Sequence, residues 1–308
     1  MSLETDLLLD RQRLKRRLAF WRILAVLAIC GALAVALPLG GLPGIAAPHV
    51  VRLSVGGIIT EDRTLTRAVR GLADRADVKA LEVVIDSPGG SVSGGEALHD
   101  AIAAVARKKP VVVVMGGVAA SAGYMIAVPA ARIFCSPATL TGSIGVLMET
   151  GEISGLLEKL GISAETLVSG PLKDQPSLTR PLSPAGHEVL QALVMDLYDQ
   201  FVGMVAAGRH MDPARVRQLA DGRAFTGRQA LPLGLVDELG GEAEARAWLA
   251  TTRGVAESLP VVDLETRSLA ERLLTSRLGP GLTLSLKSLF SQSVTLDGAW
   301  ALWQPFRD

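Results

Sequence analysis

Short apolar segments alternate with helical segments along most of the chain. Three runs have the length and the β-branched content of strands. They are "HVVRLSVGGII" at 49–59, "ALEVVID" at 80–86 and "PVVVVMGG" at 110–117, and a fourth short strand, "ARIFCS", follows at 131–136. Apolar residues at helical spacing separate them and predict helices at 64–76, 92–108 and 119–128. Strands that are apolar on both faces and alternate with helices indicate a mostly parallel, doubly covered sheet, an α/β fold of repeated βα units.

A long amphipathic helix is predicted after this α/β region. Eight apolar residues recur on one helical stripe, which is typical of a face that packs on a core. They are Val189, Leu190, Leu193, Val194, Leu197, Tyr198, Phe201 and Val205. Two further helices are predicted at 212–219 and 241–252.

The apolar pattern near the N-terminus predicts a membrane anchor. Residues 23–39 carry no charge, and together with Phe20 and Trp21 they can span the roughly 20 residues that a bilayer requires. Six basic residues lie within 11–22 and none follows the apolar run directly, which places the N-terminus in the cytoplasm and the rest outside. A cleaved signal peptide is the alternative. Its apolar core would be shorter, about 7 to 15 residues, and "IAA" at 45–47 is a weak cleavage site.

These patterns divide the 308 residues into five regions. They are a basic cytoplasmic N-terminus at 1–22, a single transmembrane anchor at 23–39, a Gly/Pro linker at 40–48, one domain at 49–255, and a C-terminal extension at 256–308. The domain then lies in the periplasm or outside the cell, attached to the cell (inner) membrane. The extension is apolar in patches and is expected to pack on the domain, on another subunit or on the membrane surface.

Composition excludes several classes of function. The 31 basic and 31 acidic residues cancel, so a polyanionic partner such as nucleic acid is not indicated. Two cysteines, Cys30 and Cys135, cannot build a disulfide framework, and four scattered histidines show no metal-ligand spacing. No metal and no cofactor are therefore expected.

The first candidate for chemistry is the "SPGG" segment at 87–90, which follows a predicted strand. Pro88 restricts one backbone angle, whereas Gly89 and Gly90 permit angles and close approaches that a side chain forbids. Such a loop can direct a free N–H at a developing negative oxygen, as an oxyanion hole requires. An ordinary turn is the alternative.

Ser121 is the second candidate, in "GGVAASAGYMIAVPA" at 116–130. It lies between a predicted strand and a predicted helix, where a side chain is presented at the edge of the sheet and the helix N-terminus stabilises negative charge. The N–H of Ala122 would then be a second oxyanion donor. A serine that merely caps the helix is the alternative.

A nucleophilic serine needs a base. None of the histidines (His49, His99, His187 and His210) has an acid in an obvious orienting position. Lys173 lies in "VSGPLKDQPS" at 168–177, a loop rich in Gly, Pro and Ser that can line a cleft, and lysine acts as a base where burial favours its neutral form. Ser143 in "TGSIGV" at 141–146 can hydrogen-bond the amine. A solvated lysine beside Asp174 and an ordinary turn at Ser143 are the alternatives.

Taken in order, these segments resemble the signal peptide peptidase A family of membrane-bound serine proteases. The similarity runs from about residue 50 to about 250 and includes "GRAFTGRQALPLGLVDELGG" at 222–241. It implies a ClpP/crotonase-like fold, Ser121 as nucleophile, Lys173 as base and Ser143 as support for the lysine. It also implies an oxyanion hole from Gly89 and Ala122. The chain departs from the family pattern in "SAG" instead of "SGG" after the nucleophile.

The resemblance further implies a serine endopeptidase that cleaves hydrophobic peptides, chiefly signal-peptide remnants left after secretion. It implies a homo-oligomeric ring in which neighbouring protomers complete each active site. Two other classes remain open: a crotonase-like acyl-thioester enzyme, and a catalytically silent scaffold or differently specific protease ring that acts on membrane proteins.

Overall fold

The computed structural model describes residues 17, 20–27, 47–264 and 300–302, in two units, 1–47 and 48–308. In the first unit, residues 20–27 are helical. Most of the anchor predicted at 23–39 and most of the linker lie outside the described residues, as does most of the C-terminal extension. The division of the chain into five regions therefore remains a prediction.

The second unit is built on one mixed sheet. Its described strands are β1 (His49–Ile59), β2 (Val78–Ser91), β3 (Val111–Ala120), β4 (Arg132–Cys135), β5 (Leu140–Gly142), β6 (Ala224–Thr226), β7 (Glu238–Leu239), β8 (Val261–Asp263) and β9 (Trp300–Leu302). Its described helices are α1 (Arg63–Gly71), α2 (Val92–Ala106), α3 (Ala122–Met125), α4 (Ser154–Lys159), α5 (Pro184–Arg209), α6 (Pro213–Leu219), α7 (Gly227–Ala230) and α8 (Glu242–Arg253). The strand order is β6-β5-β3-β2-β1-β8, and β4 also pairs with β3. All pairs are parallel except β5–β6 and β2–β9.

Both faces of the sheet are buried, which explains the unbroken apolar runs. In β3, Val113 and Met115 belong to the larger core cluster, which includes residues of α2 and α5. Val112 and Val114 point to the other face and pack in a second cluster with residues of α8. Because successive strand residues face opposite sides, a strand covered on both sides needs an apolar residue at every position.

Two predicted boundaries next to the candidate site differ from the structure. The strand at 80–86 does not stop at "SPGGS", because Ile58 and Ile59 of β1 pair with Gly89 and Gly90 and extend β2 to Ser91. The helix predicted from residue 119 begins at Ala122, since Val118–Ala120 still pair with β5. Both differences come from strand partners that are distant in sequence.

The apolar stripe on the long helix is only partly a core face. Phe201 and Val205 are buried, whereas Val189 and Leu193 in the N-terminal half of α5 are exposed. The predicted core face is therefore wrong for that half, which extends beyond the domain's own packing. Among the described residues, α5 is also the one helix long and apolar enough to cross a membrane by length and composition.

Candidate active site

Ser121 lies at the junction between β3 and α3 with a strained backbone. Its φ is 57° and its ψ is −120°, a left-handed φ that non-glycine residues rarely adopt and that costs about 1–3 kcal/mol. The residue is 1% exposed. Its side chain makes no capping hydrogen bond to α3. The alternative of a helix-capping serine is therefore wrong, and no capping bond occupies the Ser121 hydroxyl.

Ser143 occupies the equivalent position on the neighbouring strand. Ala120 at the end of β3 pairs with Gly142 at the end of β5, so Ser121 and Ser143 each follow one member of that pair. The Ser121 N–H donates to the Gly142 carbonyl at 2.8 Å. Ser143 also has a positive φ, 48°, and is buried. The structure thus brings these two predicted site residues together.

The "SPGG" segment approaches from β2. Gly89 has a φ of 115°, which L side chains rarely adopt, so glycine is required there. Its N–H donates to the Ser87 hydroxyl at 3.1 Å, and that hydroxyl donates to the Gly57 carbonyl at 2.6 Å. In this structure, therefore, the Gly89 N–H is already hydrogen-bonded to a neighbouring side chain.

Helix α3 packs directly on this segment. A Cβ on Gly123 would lie 2.9 Å from the Ser87 carbonyl oxygen, so only glycine permits the approach. Ala122, fully buried, is the first residue of α3, where a backbone N–H has no partner within the helix. The close contact brings Ser87, the residue that binds the Gly89 N–H, against the helix that begins beside Ser121.

A buried polar network anchors the other end of α3. The Tyr124 hydroxyl donates to the Leu235 carbonyl at 2.8 Å, and burial raises the pKa of this phenol, so it stays a neutral donor. Close to it in the fold, Arg209 donates to both carboxylate oxygens of Asp237, at 2.6 and 3.0 Å, and to the Gly234 carbonyl. The Tyr124 bond ties α3, which begins beside Ser121, to the 234–237 segment, and the Arg209 bonds tie that segment to α5.

Lys173 lies on the surface of the protomer, whereas Ser121 is buried. The lysine lies in a turn in which its N–H donates to Gly170, and it makes no hydrogen bond or ion pair through its amine in the part of the chain described. Asp174 instead pairs with Arg180. Among the described residues, no hydrogen bond joins the predicted base to Ser121 or Ser143, so its role stays a prediction.

The histidines do not replace it. His99 contacts Asp100 at 3.0 Å on α2, and His49 lies 3.9 Å from Asp77 at the start of β1. His187 lies in the exposed half of α5 and His210 at its C-terminal cap. None of the four hydrogen-bonds Ser121 or Ser143 in the described residues.

The prediction from sequence missed Ser87. Its position directly before "PGG" was the available signal, but a serine in a turn-like motif suggests local turn chemistry. Only the structure shows that it is fully buried and bonded to Gly57, which lies 30 residues away in sequence.

Comparison with known proteins identifies the family. The model of peptidase family S49 matches residues 103–256, which contain Ser121, Ser143 and Lys173. A putative protease of Synechocystis sp. is 41% identical over 67% of this chain and 75% of its own length. The chain belongs to peptidase family S49. It is a serine protease of the signal peptide peptidase A type, and the Clp protease model, which matches residues 60–140, supports the ClpP-like fold.

Other relatives are longer than the shared region. A putative signal peptide peptidase SppA of Enterococcus faecium is 36% identical over 66% of this chain and 63% of its own length. Protease 4 of Salmonella typhi is 41% identical over 53% of this chain, but the match covers only 26% of that protein. The similarity to Protease 4 therefore concerns about a quarter of that protein.

Proposed function

We propose that this S49 protein is a membrane-anchored endopeptidase that uses a Ser121–Lys173 dyad. The observation that carries the proposal is Ser121 itself. Its left-handed backbone is strained and its side chain caps nothing, although it stands at a helix N-terminus. Strain of this kind persists where the surrounding structure holds it, and it is concentrated at functional sites.

The base is proposed to come from a neighbouring protomer. Lys173 is exposed and makes no hydrogen bond to its own Ser121 among the described residues, and the segment around it is rich in exposed apolar side chains. These include Leu156, Leu160, Ile162, Leu167, Leu172 and Leu178, with Leu193 on α5. An apolar surface of this extent is typical of a protein–protein contact. A ring that buries these side chains would carry each Lys173 to the serines of the next protomer.

The remaining groups have defined roles in this proposal. The N–H groups of Gly89 and Ala122 stabilise the oxyanion, and Ser143 holds the Lys173 amine. The Gly89 N–H donates to the Ser87 hydroxyl in the structure, and this hydroxyl, itself bonded to the Gly57 carbonyl, holds the Gly89 peptide in place. The oxyanion is proposed to accept from the same N–H as a charged acceptor, which forms the stronger hydrogen bond and so favours the transition state.

The proposed reaction proceeds through an acyl-enzyme. Ser121 Oγ attacks the scissile carbonyl while its proton passes to the neutral amine of Lys173. The C–N bond then breaks, and the resulting ammonium returns the proton to the leaving amine. Water, deprotonated by the same lysine, attacks the ester, and the proton returns to Ser121 Oγ as the acid product leaves.

The proposed substrates are hydrophobic peptides, chiefly signal-peptide remnants, and the proposed location is the outer side of the cell membrane. The uncharged run at 23–39 behind a basic N-terminal segment supports this location. The resemblance to signal peptide peptidase A supports the substrate class.

Labelling with a fluorophosphonate tests the proposal, since only an activated serine reacts. The full-length protein in detergent should be labelled and should hydrolyse a hydrophobic peptide, and Ser121→Ala should lose both properties. Ser136→Ala is the matched control. Ser136 also follows a strand directly, but its hydroxyl is bonded to Thr139 and it should not matter. If the wild-type protein stays unlabelled, the protease proposal is wrong, and a peptide-binding scaffold becomes the favoured function.

A further inference from the structure

The N-terminus of α5 is capped by a residue from the loop that contains Lys173. In a capping box, the third helical residue carries a side chain that accepts the N–H of the N-cap residue. The N-cap of α5 is Ser183, and its third helical residue is Gly186, which has no side chain. The Ser183 N–H donates instead to Oε1 of Gln175 at 3.2 Å. We infer that Gln175 is a positioning residue for Lys173, which it holds by fixing the loop to α5.

Gly186 makes room for this contact. It is buried, and a Cβ at this position would collide with Oε1 of Gln175 and displace the amide. The other half of the capping box is present, since the Ser183 hydroxyl accepts from the Gly186 N–H at 3.0 Å. The first turn of α5 is therefore built to receive a side chain from the loop.

Three links hold the loop around Lys173. Its own N–H donates to the Gly170 carbonyl at 3.1 Å, and Asp174 forms an ion pair with Arg180. Gly170 and Arg180 both lie in the irregular segment between α4 and α5, so these two links keep the loop together without fixing its place. Of the three, the link through Gln175 is the one that reaches a regular element.

Helix α5 gives the loop a fixed reference because its far end lies in the core. The helix is continuous from Pro184 to Arg209, and Phe201 and Val205 in its last turns are fully buried. A loop tied to the N-cap residue thus keeps its place relative to the domain. Lys173 precedes Gln175 by two residues, which is roughly 7 Å of extended chain at most, so the tie limits where the amine can reach.

The consequence for catalysis rests on the proposed role of Lys173 as base. A base must lie within hydrogen-bond reach of the group that it deprotonates. The Lys173 side chain is long and exposed, so a loop free of α5 would let the amine occupy many positions. Fixing the loop reduces these positions, whether the serine belongs to the same protomer or to the next.

Proteolysis tests the anchoring without any need for activity. The probe is a lysine-specific endoproteinase, applied to full-length protein in detergent that carries Ser121→Ala to prevent self-cleavage. Cleavage after Lys173 should be several-fold faster with Gln175→Ala, because a protease needs a locally opened chain. Gln200→Ala is the matched control, since this exposed amide donates to Asp196 within α5, and it should not change the rate. Equal cleavage with and without Gln175→Ala would overturn the inference.

A second variant separates the position of the loop from the stability of the helix. Combined with Gln175→Ala, Gly186→Gln supplies an acceptor at the third helical position and completes the capping box within α5 itself. The Tm, lowered by Gln175→Ala, should recover in this double variant. Cleavage after Lys173 should stay fast, because the loop is still not tied to the helix. Slow cleavage in the double variant would show that helix stability alone controls the loop, against the inference.

Steady-state hydrolysis of a hydrophobic peptide, with Ser121 intact, measures the consequence. Gln175→Ala should lower kcat by roughly ten-fold and leave KM within about two-fold, since a misplacement of about 1 Å can cost as much as 10² in rate. The double variant should keep the low kcat. An unchanged kcat in Gln175→Ala, or recovery of kcat together with Tm in the double variant, would overturn the inference. Absence of turnover from every protein, wild type included, would instead refute the proposed function and leave proteolysis to decide whether Gln175 anchors the loop.

Discussion

Ser121 and Ser143 lie one residue beyond a hydrogen-bonded pair of neighbouring strands, and both have a left-handed φ, 57° and 48°. The Gly142 carbonyl connects them, since it accepts from the Ser121 N–H and belongs to the peptide that precedes Ser143. Two strained serines at matching strand ends place the proposed nucleophile and the hydroxyl proposed to support its base on one edge of the sheet. Lys173, the proposed base, is exposed and makes no hydrogen bond to either serine within the described part of the protomer.

Mixing two inactive variants should restore activity if Lys173 acts on the next protomer. Ser121→Ala and Lys173→Ala should each abolish hydrolysis of a hydrophobic peptide. Co-assembled as a mixed ring, they should recover a fraction of the wild-type rate, because some interfaces then join an intact serine to an intact lysine. The measurement is steady-state hydrolysis after co-expression of the two tagged variants.

The control for the mixing experiment replaces the Ser121→Ala variant with a double variant that carries both Ser121→Ala and Lys173→Ala. A mixture of this double variant with Lys173→Ala contains no Lys173 at all and should stay inactive. Lys173→Arg should also be inactive, since a guanidinium does not lose its proton in proteins. Near-normal turnover by Lys173→Arg would show that another group is the base. Failure of the first mixture, with rings confirmed by light scattering, would show that serine and lysine act within one protomer.

Ser87→Ala should lower kcat by roughly ten-fold and leave KM within about two-fold. The Ser87 hydroxyl connects the Gly89 peptide to Gly57, so its loss leaves the proposed oxyanion donor poorly placed, and loss of such a donor outright costs about 10²–10³ in kcat. Affinity for a peptide boronic acid should fall with kcat, whereas affinity for a cleaved peptide product should not.

Thr139→Val provides the matched control for Ser87. Thr139 is also fully buried and its hydroxyl also donates to a carbonyl, that of Gly116 at 2.7 Å, but it does not touch Gly89. Its replacement should affect thermal stability alone. If Ser87→Ala weakens the boronic acid and the product equally, or raises kcat, Ser87 does not position the Gly89 peptide.

Glu82→Gln should stabilise the protein at neutral pH. Glu82 is 1% exposed in β2, and its Oε1 has no hydrogen-bond partner among the described residues. Burial, with the negative charge of Glu242, raises the pKa of this carboxyl, although Arg246 and Arg52 act in the opposite direction. Removing an unpaired buried charge should raise stability by about 1 kcal/mol, measured as an increase in Tm of roughly 2–4 °C.

The effect of Glu82 should depend on pH with a defined sign. A folded-state pKa above the unfolded value of about 4.3 means that the folded protein binds the proton more tightly. The stabilisation is present below the unfolded pKa and is lost as pH rises through the folded pKa. The advantage of Glu82→Gln should therefore shrink as pH falls from 7 towards 4. Glu149→Gln, at an exposed position, should show neither effect, and a destabilised Glu82→Gln at pH 7 would contradict the argument.

The N-terminal anchor should remain in the mature protein. Because residues 23–39 are uncharged and follow a basic segment, the protein should stay in membranes after a carbonate wash and retain its first residues. N-terminal sequencing of purified protein checks this directly. A sequence that starts near Ala47 or Pro48 would show that the segment is a cleaved signal peptide.

The local pattern of the sequence predicted the strands and two of the candidate site residues, Ser121 and Gly89. The apolar runs that became β1 and β3 were evident because a strand buried on both faces needs apolar residues at every position. Ser121 was evident as a hydroxyl between a strand and a helix among small residues. Gly89 was evident because paired glycines after a strand permit an unusual backbone. Each of these sequence patterns depends only on residues that are close to one another along the chain.

Contacts between distant segments decided the rest. The extension of β2 through Gly89–Ser91 depends on β1 and β9, and the bond between Ser87 and Gly57 spans 30 residues. Periodicity predicted a core face along all of α5, but its buried apolar side chains, Phe201, Val202 and Val205, lie in the C-terminal half. Helical spacing shows which residues share a face, whereas the tertiary structure determines what covers that face. For the same reason, the sequence could propose Lys173 as a base, but only the tertiary structure placed it in an exposed turn.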